Sequence, residues 1–231
     1  MKSIRTMALV TGLLALSGVS QAQFSSTWTA VSDYDFRGIS QTSKNPALQA
    51  SADYAFGDTG FSVGTWASNV DFGPGNDETM ELDLYANYVG KINDTFSWTA
   101  GGTWYEYPLG EDADGYPEIY AGLNAGNFSF KQWYSWMYGG GSLNEFYTEA
   151  NYTQPIGKTF SLAFHAGYVY GDAYKGAEQF DYAVQGNWTF NKFTIFGKFT
   201  GTDGDNIYAG TKVINDARFL VGVTTTFPWK D

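Results

Sequence analysis

The feature that most constrains this chain is a change of side-chain polarity with a period of two, repeated from Trp28 to Phe227. Segments of about ten residues each alternate apolar and polar side chains. In the clearest, Met80, Leu82, Leu84, Ala86 and Tyr88 alternate with Glu81, Asp83, Tyr85 and Asn87. Phe160, Leu162, Phe164 and Tyr168 likewise alternate with Ser161, Ala163, His165 and Gly167. Successive side chains of a strand leave opposite faces, so each segment carries one greasy face and one polar face. Twelve such segments can be traced. The first reads from Trp28 to Arg37, with Ser32, Tyr34 and Phe36 on the apolar parity and Asp33, Asp35 and Arg37 on the polar one. The seventh, Asn127 to Tyr138, is ambiguous, because Gln132 falls among Phe128, Phe130 and Trp136.

A soluble β-sandwich would alternate in the same way. The links argue for a barrel instead. Short links at Gly57–Thr59, Ile92–Asp94, Gly126–Asn127, Gln154–Lys158 and Asn191 take turns with longer ones. The longer links are Gly38–Asn45, Phe72–Asp77, Pro108–Tyr116, Gly139–Asn144, Gly171–Glu178 and Gly201–Asn215. That order predicts a single all-β, transmembrane antiparallel up-and-down barrel of twelve strands, with short periplasmic turns, long extracellular loops and both termini in the periplasm. A sheet that spans lipid has to close, since each unpaired backbone group there costs several kcal/mol. Pro46, Pro74, Pro108, Pro117, Pro155 and Pro228 all fall in links or at strand ends, where no ladder hydrogen bond is lost.

Composition agrees. Aromatic residues make up 19% of the chain, yet the mean hydropathy is −0.29. Side chains this mixed must be finely segregated, as strand alternation and interfacial aromatic girdles do. At the N-terminus, Lys2 and Arg5 precede an apolar run from Met7 to Val19, and Ser20-Gln21-Ala22 places small residues before a cleavage site. Residues 1–22 therefore read as a signal peptide cut between Ala22 and Gln23, with the barrel at 23–231. The run is too short for a spanning helix. Removing it takes two bases and no acids from 13 Lys plus Arg and 24 Asp plus Glu, which leaves a net charge of −13. A balance that acidic excludes nucleic acid as a partner. The absence of cysteine excludes disulfides, thiolate catalysis and Cys–zinc sites.

The stretch Ser32-Asp33-Tyr34-Asp35-Phe36-Arg37-Gly38-Ile39-Ser40-Gln41 resembles the N-terminal signature of the TorF-like porin family. So do Ala47–Phe56, Gly60–Gly73 and Glu81–Gly90. The resemblance implies an outer-membrane location and a channel role; it names no solute.

On the polar parity stand Asp33, Asp35, Asp53, Glu81, Asp83, Glu118, Glu145, Glu149 and Asp181, against Arg37, Lys131, Lys198 and Arg218. A charge at the lipid midplane costs about 2–4 kcal/mol for Lys or Arg, so this parity is assigned to the lumen. The lining is then net acidic and leans to cationic or neutral solutes. The alternative is a lumen filled by these same side chains, in a closed barrel that acts through its outer loops. Arg37 could narrow the lumen or pair locally with Asp33 and Asp35. His165, the only histidine, falls on the lumen parity with no nucleophile motif, and no enzymatic role is assigned. No cofactor is called for. Glu111–Gly115 and Asp203–Asn206 lack the spacing of a calcium loop and read as solvated loop tips rather than metal sites. The expected partners are outer-membrane lipid, lipopolysaccharide and a small polar solute, with the oligomeric state open.

Overall fold

Twelve of the strands join edge to edge until the first pairs with the last. The computed structural model describes residues 23–110, 115–203 and 215–229. In chain order the strands are β1 Gln23–Val31, β2 Asp35–Phe36, β3 Ile39–Ser40, β4 Ala47–Ala55, β5 Phe61–Asn69, β6 Met80–Lys91 and β7 Phe96–Glu106. They continue with β8 Tyr116–Ala125, β9 Phe128–Ser135, β10 Glu145–Ile156, β11 Phe160–Tyr170, β12 Gln179–Phe190, β13 Phe193–Thr202 and β14 Arg218–Phe227. β1 and β4 to β14 form one closed antiparallel barrel, and each pairs with its neighbour in sequence. Closure runs from Ser26↔Phe227 to Val31↔Gly222. No spanning edge is left unpaired, which is the condition a sheet must meet in hydrocarbon.

Short turns are built for tight reversal. Gly126–Asn127 joins β8 to β9 and Asn191–Lys192 joins β12 to β13. Their first residues take φ of +60° and +54°, a conformation that Gly and Asn tolerate best.

The two faces of the wall separate as the alternation requires. Leu48, Leu84, Ile119, Leu123, Phe164, Val184, Trp188 and Phe219 are exposed on the outside. Glu81, Glu118, Glu145, Glu149, Asp181 and Arg218 are buried on the inside. Ring-bearing side chains are prominent on the outer face. There Trp28 donates from Nε1 to Ser26 Oγ at 3.0 Å and Trp104 to Glu106 Oε2 at 2.8 Å. An amphipathic ring of this kind suits a boundary that is greasy on one side and wet on the other. The ambiguous seventh segment resolves as β9 with Gln132 on the outer parity. Its amide is satisfied there: Nε2 donates to the Tyr147 carbonyl at 3.2 Å, and Oε1 accepts from Thr148, its direct cross-strand partner, at 2.6 Å.

The first segment departs from its sequence pattern. Alternation suggests a strand to Arg37, but β1 ends at Val31 and the chain turns into the barrel. Tyr34, placed by parity among the outward apolar residues, is buried inside, packed with Val31, Ala47, Val70 and Leu220. The cause is a set of hydroxyl and carboxylate bonds that compete with the ladder. Asp33 accepts from Ser40 Oγ at 2.5 Å, and fully buried Thr42 accepts the Tyr34 N–H at 3.1 Å and donates to the Asn45 carbonyl at 2.6 Å. Alternation in this stretch therefore marks an inner hairpin, not a continuation of the wall.

Candidate functional site: an inward hairpin across the barrel

Asp35-Phe36 pairs with Ile39-Ser40 around a two-residue turn, Arg37-Gly38. Both turn residues have positive φ, +50° and +80°. This is the backbone of a primed hairpin turn, in which the first position usually belongs to Asn, Asp or Gly. A long side chain in the left-handed region costs roughly 1–2 kcal/mol. Something must hold Arg37 there, and its guanidinium shows what does.

Arg37 reaches across the lumen to the opposite wall. Nη1 and Nη2 donate to the two oxygens of Glu118 on β8 at 3.0 and 2.8 Å, and Nη1 also pairs with Glu145 on β10. The guanidinium carbon lies 4.1 Å from the centroid of the Tyr147 ring and 4.6 Å from that of Phe36. Tyr105 on β7 orients Glu118 by donating to Oε2 at 3.0 Å. A planar fork matched to carboxylates and stacked on rings is the geometry for which Arg has no substitute.

The base of the hairpin is tied to the other side. Arg218 on β14 donates from Nε to Asp33 at 2.5 Å and from Nη1 to the Gly38 carbonyl at 2.7 Å, and it pairs with Asp35 through Nη2. Lys198 on β13 donates to Asp35 at 2.6 Å, beside a 3.1 Å bond from Thr200 Oγ1. Tyr34 donates to Glu81 on β6 at 3.1 Å and its ring sits 5.2 Å from that of Trp66 on β5. Gly38 has no room for a side chain, because a Cβ there would lie 2.8 Å from the Gly201 carbonyl oxygen. Contacts thus run from β5 through β8 on one side to β10, β13 and β14 on the other. Glu81, Glu118, Glu145, Asp181 and Arg218 all stand at or near the starts of strands that follow long links, so the hairpin spans the long-link end.

The remaining charged candidates lie along the inner wall. Asp53 accepts from Tyr85 Oη at 2.5 Å and Ser51 Oγ at 2.8 Å. Asp83 stands two residues from Glu81 on the same face, and its Oδ1 is buried without a hydrogen-bond partner. Glu149 accepts from Trp133 Nε1 at 2.8 Å and Asn151 Nδ2 at 3.0 Å. His165 contacts Asn151, Asp181 and the Tyr147 hydroxyl at 2.7, 2.8 and 2.9 Å. Lys131 is buried over the rings of Tyr120 and Trp133 at 4.6 and 5.1 Å. Ala22, with the rest of residues 1–22, lies outside the described residues, as do Glu111–Asp114; Gln23 is the first residue of β1.

Charge is unevenly distributed around the wall. Asp33, Asp35, Glu118 and Glu145 engage Arg37, Lys198 and Arg218. Asp53, Glu81 and Asp83 form no ion pair with a Lys or Arg among the described residues, and Glu149 and Asp181 face only His165, so the acidic surplus is spread over β4, β6, β10 and β12. Parity alone identified the charged residues. It missed Tyr34, Phe36 and Gly38, whose roles depend on the chain turning inward. The one local sign was Arg37-Gly38 itself, a turn-compatible pair inside an alternating run.

A family model described as "Bacterial protein of unknown function (Gcw_chp)" matches residues 15–227. No curated protein sequence matches. Among solved structures, the NanC porin superposes with a TM-score of 0.59 at 13% identity, covering 88% of this chain and 99% of that one. The KdgM porin gives 0.55 at 13% identity with the same coverage, and KdgM in complex with disordered oligogalacturonate gives 0.56. At this identity the likeness establishes a shared porin fold.

Proposed function

This chain belongs to the Gcw_chp family of bacterial proteins of unknown function, and we propose that it is an outer-membrane channel for passive diffusion of small polar solutes. The observation that carries this reading is the closed twelve-strand wall, apolar outside and charged inside. Such a wall buries its rings in lipid and presents acids and amides to water within. The porin fold of NanC and KdgM and the TorF-like resemblance of the first third support the same reading. The inner hairpin is the constriction, and the unpaired acids of β4 and β6 favour cationic or neutral solutes over anions. In this account residues 1–22 are removed on export, both termini face the periplasm, and the long-link end meets lipopolysaccharide.

One observation favours a second reading. The hairpin is pinned by buried ion pairs on both sides of the lumen, as a permanent plug would be. A plugged barrel would act through its outer loops. Planar-bilayer recording separates the two. Discrete conductance from the wild-type barrel, with reversal potentials on the cation side in a salt gradient, supports the channel. A silent wild type that conducts once residues 33–42 are replaced by a short Gly-Ser link would establish the plug. Silence in both would dispose of the channel reading.

A further inference from the structure

Tyr85 on β6 is laid down over the inner wall. It stands across the ladder from Gly64 on β5, which stands in turn across from Asp53 on β4. The side chain reaches over the glycine, and its hydroxyl donates to Asp53 Oδ1 at 2.5 Å. Only a glycine permits this course, since a Cβ on Gly64 would lie 2.5 Å from Tyr85 Cε2 and 2.6 Å from both Cζ and Oη. One side of the ring therefore rests on the β5 backbone, and the other is turned to the lumen. Tyr85 and Asp53 are both partly exposed, and side chains of the inner parity have only the lumen to be exposed to. The ring is held at both ends, by its own strand and by the acid two strands away.

The charge beside this platform is left standing. Asp53 accepts from Tyr85 and from Ser51 Oγ, the latter at 2.8 Å, and both donors are neutral hydroxyls. They orient the carboxylate without cancelling its charge, and an ionised carboxylate has about four lone-pair sites to share. The ladder row through the platform continues to Ser25 on β1 and Thr103 on β7. The next row toward the hairpin places Trp66 beside Asp83, a second acid. Neither row holds a base across β1 and β4 to β7. A ring face carries negative potential, so the ring and the two acids attract the same sign of charge.

We propose that Tyr85 and Asp53 form a binding site for small organic cations, of which a quaternary ammonium is the simplest kind. Its alkyl groups cover the free face of the Tyr85 ring while its charge lies beside the Asp53 carboxylate. A neutral solute of the same size finds the ring but gains nothing from the acid. An anion is repelled by Asp53 and Asp83. A strongly hydrated inorganic cation meets the carboxylate but has no apolar surface to lay on the ring. Glu81, Asp83 and Tyr85 occupy successive inward positions of β6, so the platform continues the acidic face away from the hairpin. The inference rests on the channel reading for how the solute reaches the site, and it names the solute class within that reading.

The test is saturation-transfer NMR on the folded chain in an uncharged maltoside detergent, with choline as probe and pentaerythritol and acetate as neutral and anionic comparisons. Choline methyl protons are expected to receive saturation from the wild-type protein. Asp53→Asn keeps the shape and an acceptor oxygen, and Tyr85→Leu removes the platform. Each is expected to weaken choline binding, titrated by the same signal, by about fivefold or more, the effect of losing a ring or a charge beside a cation. Asp53→Asn carries the decision alone if Tyr85→Leu does not fold. No transfer to choline in the wild type, unchanged affinity in Asp53→Asn, or transfer to pentaerythritol or acetate as strong as to choline would each overturn the site. Bilayer recording in potassium chloride reports separately on the channel. A barrel that binds choline but passes no current loses the channel and keeps the site, and one that conducts but ignores choline does the reverse.

Discussion

Substitution of Arg37 separates the two forces that set the hairpin. Its guanidinium is buried against Glu118 and Glu145, whose side chains are each 1% exposed. Truncation to Ala leaves two carboxylates buried without their cation, a loss of about 3–5 kcal/mol for a broken buried pair. The backbone acts in the opposite sense. At φ of +50° an L-residue pays roughly 1–2 kcal/mol that Gly does not. Arg37→Gly loses the same ion pairs and recovers that strain, so it should unfold at a stability about 1 kcal/mol above that of Arg37→Ala. A third variant isolates the pairing: Arg37→Met with Glu118→Gln and Glu145→Gln removes charge on both sides and should regain most of the loss. Urea unfolding of the barrel in lipid vesicles, followed by tryptophan emission, measures all three. Stability of Arg37→Ala within about 0.5 kcal/mol of wild type, the scatter typical of surface changes, would refute the buried-pair argument. Equal values for Ala and Gly would refute the strain argument.

Gly38→Ala adds a Cβ at 2.8 Å from the Gly201 carbonyl oxygen, with φ of +80°, and should cost about 2 kcal/mol or more, whereas Gly126→Ala, at φ +60° with open space around it, should cost only about 1 kcal/mol in the same urea titration. Leu84→Lys or Phe164→Lys, on the exposed outer face, should lose about 2–4 kcal/mol and fold poorly into vesicles; folding yields equal to wild type would mean that this face does not meet lipid. Glu81→Gln with Asp83→Asn removes two of the acids that no base neutralises, and should move the reversal potential in a salt gradient toward the anion side; an unchanged potential would show that selectivity is set elsewhere.

The wall was legible because its cause is local. Period-two alternation, turn residues at the breaks and alternating link lengths each follow from strand geometry and closure, and Leu84, Phe164 and Phe219 stand on the outer face as the alternation requires. Gln132 shows the limit of that reading. An outward amide looks like an error until its cross-strand Thr148 and the Tyr147 carbonyl satisfy it, and both partners depend on register. The hairpin was not legible for a related reason. Asp33 to Arg37 alternates as well as any strand, and what turns the chain inward is the capture of Asp33 by Arg218, distant in sequence, and of Arg37 by Glu118 and Glu145. Long-range ion pairs leave no periodic trace.

Those same pairs decide what the lumen charge can do. Read from composition, the inner parity is simply acidic. In the fold, four carboxylates are committed to Arg37, Lys198 and Arg218, and they hold the constriction instead of presenting a field to a passing ion. On the proposed channel reading, ion preference would rest on the acids that no Lys or Arg pairs with, among them Asp53, Glu81 and Asp83 to one side of the hairpin. A paired acid removed should therefore change stability and constriction width, and an unpaired acid removed should change ion preference. Glu118→Gln set beside Asp83→Asn distinguishes them: the first should lower the urea midpoint with little effect on reversal potential, and the second should do the opposite. Similar effects from both would mean that the ion pairs do not partition the lumen into a scaffold and a filter.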